Sequence, residues 1–293
     1  MQCMHWQHAT GSLALDRPRI LGIVNVTPDS FSDGGRLRSL DDVRRLADRM
    51  VAEGADVIDV GGESTRPQGA RSVSADEELR RVVPAISAIL VDHPSVPVSI
   101  DTNKSRVAAE ALALGVSIVN DVSGFRLDPA MAGVCAAGRA GVVLMHSRGD
   151  VADMATFVHA DYGADVTGEV VRELQACVAG AERAGIARER LVLDPGIGFS
   201  KRGEQSVRLL HELPRVVALG FPVLVGVSRK RFIGHLTGVA VPADRVAGTT
   251  GANVAALDRG ARLFRVHDVR AAREALDVAW AIGIEADHAD YSI

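Results

Sequence analysis

The strongest constraint on the fold is an alternation, repeated eight times along the chain, of a short apolar run and a stretch with helical periodicity. Short, continuous runs rich in Val, Ile and Leu are typical of strands buried on both faces of a parallel sheet. Eight such units favour a closed (β/α)8 TIM barrel over an open, doubly wound sheet. The predicted strands cover residues 19–26, 57–60, 96–100, 116–119, 142–145, 191–193, 222–227 and 262–266. Among the helices predicted between them, one covers residues 162–184 and another covers residues 204–213.

The length of the chain fits one barrel without a second domain. A barrel of this kind takes about 250 residues, and the 293 residues here contain no linker or low-complexity stretch. The Gly-x-Gly-x-x-Gly fingerprint of a dinucleotide-binding sheet does not follow the first predicted strand. We therefore predict a barrel over residues 19–284, a cap segment or short hairpin over residues 1–18, and a tail over residues 285–293.

Composition and charge exclude several classes of partner. The net charge of −4, from 33 Lys and Arg against 37 Asp and Glu, gives no general attraction to nucleic acid or to an anionic membrane. The 3 cysteines are scattered, without the spacing of a disulfide framework or a zinc site. The sequence has no apolar stretch as long as a signal-peptide core or a membrane span. It therefore predicts a cytoplasmic protein that binds small molecules.

Polar side chains stand at the ends of the predicted strands. The carboxyl ends of barrel strands carry the active site in enzymes with this fold. A single polar residue there often only caps the following helix, but a full ring predicts a site that is acidic in its depth and basic toward its rim. Such a site suits a heterocycle rich in N–H groups with an anionic leaving group. The ring comprises Asn25, Asp59, Asp101, Asn120, Asp121, Met145, His146, Asp194, Ser228, Arg229, Lys230, Arg265 and His267.

Two loops at this end of the barrel are unusually long and contain several glycines, those over residues 27–38 and 61–74. Long loops in a compact domain are uncommon and usually functional. We predict that they close over the site and exclude water from a reactive carbon.

Seven segments, in this order along the chain, resemble the dihydropteroate synthase family from about residue 19 to residue 283. They are residues 23–35 (IVNVTPDSFSDGG), 59–67 (DVGGESTRP), 99–104 (SIDTNK), 119–122 (VNDV), 193–201 (LDPGIGFSK), 226–234 (GVSRKRFIG) and 265–269 (RVHDV). The family joins (7,8-dihydropterin-6-yl)methyl diphosphate to p-aminobenzoate and releases diphosphate. The resemblance therefore implies this reaction, together with Mg²⁺ as cofactor and a homodimer.

The resemblance also implies a role for individual residues. Those that match the pterin site are Asp101, Asn120, Met145, Asp194, Phe199 and Lys230. Those that match the diphosphate site are Asn25, which is also the Mg²⁺ ligand, Thr65, Arg66, Arg265, Val266 and His267. Those that match the p-aminobenzoate site are Phe31, Thr65, Arg66, Pro67, Phe199, Lys230 and Arg231. The catalytic roles fall on Asp101, Asp194, Lys230, Arg265 and His267.

The implied chemistry is an S_N1-like path, in which the pterin ring delocalises the positive charge left when diphosphate departs. Sulfonamides mimic p-aminobenzoate, so we predict that they inhibit the protein. Two positions depart from the family pattern. Arg231 stands where the family often has serine, and Ser147, within the segment 146–153 (HSRGDVAD), replaces a larger residue. Arg231 either contributes a charge to p-aminobenzoate binding or points to solvent.

Three alternatives stay open at the level of sequence. A methyltetrahydrofolate:corrinoid methyltransferase would use the same acidic pterin grip, but would not need the SDGG, STRP and RVH segments. A non-catalytic pterin-binding paralogue would be expected to lose Lys230 or the Arg265–His267 pair first. A barrel with only incidental polar strand ends would not show the complete ring.

Overall fold

The computed structural model describes residues 4–27, 39–64 and 72–285. Within them, eight parallel strands form one sheet in the order β8-β7-β6-β5-β4-β3-β10-β9. The two ends of this sheet meet through a bridge between Leu193 and Val223, beside a 3.0 Å bond from Leu193 N to Pro222 O. The predicted TIM barrel is confirmed. Its strands are β3 (Arg19–Asn25), β4 (Val57–Gly61), β5 (Val98–Asp101), β6 (Ile118–Asp121), β7 (Gly141–Met145), β8 (Leu191–Asp194), β9 (Leu224–Val225) and β10 (Leu263–Val266).

Helices follow the strands, as the periodicity predicts. Side-chain caps fix several of their starts, since Ser39, Ser74 and Asp165 accept bonds from the backbone N–H groups of the first turns. The helices of the described residues are α1 (Leu40–Ala52), α2 (Ala75–Asp92), α3 (Ser105–Leu114), α4 (Met131–Ala137), α5 (Val166–Arg183), α6 (Gly203–His211), α7 (Pro214–Val217), α8 (Arg231–Thr237), α9 (Val246–Asp258) and α10 (Val269–Glu285).

Several elements differ from their predicted bounds. The seventh barrel strand, β9, covers only Leu224–Val225 instead of residues 222–227. The helix expected over residues 162–184 begins at Val166, because Asp165 caps it. The helix expected over residues 204–213 ends at His211, and Pro214 opens the short helix α7.

An antiparallel hairpin of β1 (His5–His8) and β2 (Gly11–Ala14) plugs the amino-terminal end of the barrel. Trp6 is fully buried there, among the first residues of the strands, and its indole N–H donates to Arg190 O at 2.9 Å. The predicted cap is therefore a hairpin. The domain limits at residues 19 and 284 stay predictions, and the tail beyond Glu285 lies outside the described residues. None of the described helices is long and apolar enough to span a bilayer.

Candidate active site

Strand register brings the predicted site residues into one layer at the carboxyl end of the barrel. Asn25 pairs with Gly61, Gly61 with Asp101, and Asp101 with Asn120 across neighbouring strands. Met145 and Asp194 pair in the same way on β7 and β8. Because these residues follow strands of the same sheet, side chains from distant parts of the sequence converge on one mouth.

Arg265 bridges two carboxylates in the depth of this mouth. Its Nε donates to Asp59 Oδ2 at 2.6 Å, and its terminal NH2 group donates to Asp101 Oδ2 at 2.6 Å. Asn120 Nδ2 lies 3.4 Å from the same Asp59 oxygen. The other oxygen of Asp59 is buried without a hydrogen-bond partner among the described residues. The sequence predicted acidic residues in the depth of the site and basic residues at its rim. Arg265 departs from this prediction, because it lies in the depth and pairs with two of the acidic residues.

Burial determines the charge state of the carboxylates. It raises the pKa of Asp101 to about 7; the charge of Arg265 opposes this rise, and the charges of Asp59, Glu78 and Asp121 add to it. Burial also raises the pKa of Asp194, which Lys230 opposes. Both carboxylates are thus costly to ionise and gain from a ligand that donates hydrogen bonds to them.

Lys230 approaches the site from the loop after β9. Its ammonium lies 4.5 Å from the centroid of the Phe199 ring and donates to Ile197 O. Burial lowers the pKa of Lys230 to about 8, against the opposing charge of Asp194. Gly198, with φ of +78°, allows this approach, since a Cβ there would lie 3.0 Å from the Lys230 chain.

An apolar wall completes the pocket on the β7 side. Met145 is 4% exposed and packs with Val122, Val151 and Met154, and Phe199 packs against this cluster. The wall stands next to the Asp194 and Lys230 groups, so a flat ring could lie against it with its polar edge toward the carboxylates. The structure thus brings Met145 and Phe199 together, as the resemblance implies.

The loop after β10 places His267 beside Ser228. The Ser228 hydroxyl lies 3.0 Å from His267 Nδ1 and accepts from His267 N at 3.2 Å. Arg229 faces away from the pocket and forms a bidentate pair with Asp268, at 2.9 and 2.5 Å. The Val266 side chain is fully buried in the core between barrel and helices, so Val266 can act at a diphosphate only through its backbone.

The two departures from the family pattern lie in neighbouring segments. Arg231 donates to Ala155 O at 2.8 Å and its guanidinium lies 4.7 Å from the Phe157 ring centroid. Arg231 therefore contacts the loop between β7 and α5, although the residue itself is exposed. Ser147, in the same loop, donates to Val122 O at 2.7 Å.

Four predicted site residues lie outside the described residues, namely Phe31, Thr65, Arg66 and Pro67. The structure adds residues to which the sequence reasoning gave no role. Glu63, Lys104 and Glu78 form a buried ion-pair cluster next to the site, and Lys201 is buried beneath Phe199. Membership in the SIDTNK and LDPGIGFSK segments was the available signal for Lys104 and Lys201.

Known proteins with the same fold share this site region. The family described as pterin binding enzyme matches residues 21–267. The dihydropteroate synthase of Synechocystis sp. is 45% identical over 266 residues, which cover 91% of this chain and 90% of that protein. A structure of Xanthomonas albilineans dihydropteroate synthase with 4-aminobenzoic acid has a TM-score of 0.88 and 46% identity, covering 96% of this chain and 99% of that one. The Yersinia pestis dihydropteroate synthase, in a sulfonamide drug complex, has a TM-score of 0.88 and 39% identity, covering 96% and 100%.

Fold, site and family match together define a pterin-binding barrel enzyme. More narrowly, the chain belongs to the dihydropteroate synthase family, as its sequence motifs indicate. It is therefore a transferase of folate biosynthesis. The relatives named dihydropteroate synthase favour this assignment over the corrinoid methyltransferase and over a barrel with incidental polar strand ends. The presence of Lys230, Arg265 and His267 counts against a non-catalytic paralogue.

Proposed function

We propose that this chain condenses (7,8-dihydropterin-6-yl)methyl diphosphate with p-aminobenzoate to give 7,8-dihydropteroate and diphosphate. The observation that carries the proposal is the arrangement of Arg265 across Asp59 and Asp101, opposite the Asp194–Lys230 pair. This arrangement provides acceptors for a pterin edge and cations for a diphosphate in one pocket.

The pterin ring would be held by Asp101, Asn120 and Asp194. Its ring N–H and amino groups are donors, and the two carboxylates are acceptors that burial leaves short of solvation. Charge-assisted bonds of this kind are roughly twice as strong as neutral ones. Met145 and Phe199 would cover the faces of the ring, and Lys230 would donate to the pterin carbonyl.

The C–O bond to diphosphate breaks first in the proposed S_N1-like path, and its electron pair leaves with the diphosphate. Arg265 and His267 would stabilise the negative charge that develops there. The carboxylates of Asp101 and Asp194 would stabilise the positive charge on the pterin methylene. The amine of p-aminobenzoate then forms the new C–N bond and loses one proton, without a strong base.

Asn25 would hold the Mg²⁺ ion through its side-chain oxygen. Asn25 fits this ion, because Mg²⁺ binds carbonyl and carboxylate oxygens and usually completes its shell with water and phosphate oxygens. The backbone of Gly61 leaves space beside Asn25 Oδ1, because a Cβ there would come within 3.5 Å of that atom. The described residues contain no cluster of three or more His, Cys, Asp or Glu that could hold a metal alone. Bound Mg²⁺ would supply charge neutralisation to the leaving diphosphate.

Two further proposals concern the assembly and its location. The family resemblance implies that the protein works as a homodimer, and the lack of a signal-peptide core or membrane-length run in the sequence favours the cytoplasm. Light scattering of the purified protein and fractionation of cells would check these two proposals. The loop closure predicted for residues 27–38 and 61–74 falls mostly on residues 28–38 and 65–71, which lie outside the described residues.

The direct test is an assay of the purified protein with the pterin diphosphate, p-aminobenzoate and Mg²⁺. We expect dihydropteroate and diphosphate in equal amounts, detected by mass spectrometry and a phosphate assay. The matched control is Asp101→Asn, which keeps the size of the side chain but removes its charge. If the wild-type protein forms no product above the buffer blank, the proposed function is wrong.

Sulfonamides are expected to compete with p-aminobenzoate. The Yersinia pestis relative has been solved with a sulfonamide drug, and the Lys230–Phe199 pair offers the same cation and ring face to either aryl amine. Initial rates at several p-aminobenzoate concentrations should give an apparent KM that rises linearly with the drug while kcat stays constant. A fall of kcat with unchanged KM would contradict a shared site.

The pH profile should show two limbs. Asp101 must be ionised to grip the pterin, so kcat/KM for the pterin diphosphate should fall as the pH drops below about 7. Lys230 must be protonated, so kcat/KM should also fall as the pH rises above about 8. The control is Asp101→Asn. In this variant the fall of kcat/KM below about pH 7 should disappear, apart from any part that comes from titration of the substrate itself. An unchanged acid limb in this variant would refute the assignment to Asp101.

The raised pKa of Asp101 affects folding stability in the opposite direction to activity: the stability falls, rather than rises, as Asp101 ionises. An acid with a pKa above its unfolded value binds its proton more tightly in the folded state. The contribution of Asp101 to folding is therefore present in acid and is lost as the pH rises through about 7. Ionised Asp101 thus favours activity at the expense of stability.

A further inference from the structure

Lys201 is a buried lysine for which the proposed reaction has no use. It lies in the loop between β8 and α6, and only 1% of the residue is exposed. Its ammonium nitrogen contacts Gly196 O at 3.0 Å, Phe199 O at 3.0 Å and His146 Nδ1 at 2.9 Å. Three acceptors match the three N–H bonds of an ammonium group. Burying such a group is costly, so its contacts require an explanation.

Behind Lys201, His146 and Glu173 continue the hydrogen-bond chain. An ammonium group can only donate hydrogen bonds, so His146 Nδ1 must accept from Lys201. His146 Nε2 therefore carries the ring proton, which it donates to Glu173 at 2.9 Å. Burial and the charge of Lys201 lower the pKa of His146 to about 4, which keeps the ring neutral. Burial also lowers the pKa of Lys201, which Asp194 and Glu173 oppose. Arg148 pairs with Glu173 on its far side.

In front of Lys201, the loop over residues 195–200 carries or contacts three groups of the proposed site. Gly196 N donates to Asp194 Oδ1 at 2.7 Å, and the carbonyl of Gly196 accepts from Lys201. Ile197 O accepts from Lys230 on the opposite side. Phe199 offers its carbonyl to Lys201 and its ring to Lys230. Two lysines thus hold the loop from its two sides.

The backbone of this loop has little room to rearrange. Gly196 has φ of +67°, and a Cβ at this position would lie 1.9 Å from His146 O. Ser206 Oγ accepts from Gly198 N at 3.2 Å. The loop is therefore packed on His146, the residue directly after β7, which also accepts a hydrogen bond from Lys201. The Lys201 ammonium supplies the central polar contact of the loop.

We propose that Lys201 is a positioning residue, whose buried ammonium fixes the 195–200 loop and, through it, the places of Asp194, Phe199 and Lys230. The inference rests on the proposed function for its kinetic consequence, but the loop contacts stand without it. The Lys201 ammonium is enclosed by protein atoms and would contact neither substrate. Its loss should affect both substrates, because Asp194, Phe199 and Lys230 belong to the proposed pterin site, and Phe199 and Lys230 also belong to the proposed p-aminobenzoate site.

The first test is Lys201→Met, which keeps the chain length and removes the three donors. We expect the KM for p-aminobenzoate to rise roughly tenfold or more, since two charge-assisted bonds to the loop are lost. The KM for the pterin diphosphate should rise as well, because the same loop places Asp194 and Lys230. Hydrogen exchange followed by mass spectrometry should show faster exchange at residues 196–199, a readout that needs no activity.

A second pair of variants separates positioning from packing. In His146→Gln the amide oxygen can still accept from Lys201, whereas in His146→Leu it cannot. If Lys201 positions the loop, the glutamine variant should retain a p-aminobenzoate KM nearer the wild-type value than the leucine variant. This pair also decides the question if Lys201→Met does not fold.

The outcomes distinguish this inference from the proposed function. Wild-type protein without dihydropteroate synthesis would refute the function, and exchange at residues 196–199 would still test the loop. A Lys201→Met variant with unchanged KM values and unchanged exchange would overturn the inference. So would a variant that is only less stable to heat, with both KM values as in the wild type.

Discussion

Replacing Arg265 by glutamine is expected to lower kcat/KM for the pterin diphosphate by about 10²–10³-fold, the range found when one charge-stabilising group is removed from an active site. Arg265 donates 2.6 Å bonds to both Asp59 and Asp101. Without it, two carboxylates face each other in the depth of the barrel, and the Asp59 side chain there is fully buried. The leaving diphosphate also loses a cation. Steady-state rates with each substrate varied in turn would measure the effect.

Two control variants sharpen the test of Arg265. Arg265→Lys keeps the charge, but an ammonium cannot bond two carboxylates with the planar fork of a guanidinium, so it should recover only part of the activity. Arg262→Gln removes an arginine just before the start of the same strand, where the guanidinium lies 4.9 Å from the Trp280 ring. It should behave nearly as wild type. An Arg265→Gln variant within tenfold of the wild-type kcat/KM would contradict the assigned role.

The barrel could be predicted from the sequence because parallel strands buried on both faces leave continuous apolar runs. The run around β9 predicted more strand than forms, since only Leu224 and Val225 of residues 222–227 form a strand, and Val223 forms an isolated bridge. The strand-end rule also placed Asp101, Asn120, Asp194 and Lys230 at one mouth. Register explains this success, because neighbouring strand ends are forced into one layer.

The contacts within the mouth could not be predicted in the same way. Arg265 and Asp59 are separated by 206 positions in the sequence. No periodicity in the sequence indicates which carboxylate an arginine will contact in the folded chain. Lys201 and Lys104 were missed for a different reason. Charged side chains are almost never fully buried unless they pair with another polar group. Lysines are therefore expected at the surface when only the sequence is known. Their partners come from other strands and helices and appear only in the folded chain.

Replacing Lys104 by methionine should be the most destabilising single change near the site. Its ammonium donates to Glu78 Oε2 at 2.7 Å and to Glu63 Oε1 at 2.8 Å. The two carboxylates are 0% and 5% exposed, so the variant leaves them without a countercharge in the interior. Breaking a buried ion pair in this way costs about 3–5 kcal/mol. Urea unfolding at neutral pH, followed by circular dichroism, would measure the loss.

The pH dependence of this loss follows from the pKa of Glu78. Burial raises that pKa, and Lys104 opposes the shift. Without Lys104 the pKa of Glu78 rises further, so the folded variant holds the proton to higher pH and loses stability as the pH increases through that range. The gap between variant and wild type should therefore be smallest in acid and widen toward alkaline pH. Adding Glu78→Gln should recover part of the loss at neutral pH.

Arg106→Met is the matched control for Lys104→Met. Arg106 lies in the first turn of α3, the helix that begins directly after Lys104. It pairs with Asp76 at 2.6 Å, but the two side chains are 60% and 75% exposed. An exposed pair of this kind contributes about 0–1 kcal/mol. The Lys104 cluster also contacts the end of the second long loop, since Glu63 Oε1 accepts from Val73 N at 2.8 Å. Equal losses in the two variants would show that the cluster adds no more than a surface ion pair, because only a buried cluster leaves desolvated charge behind when its cation is removed.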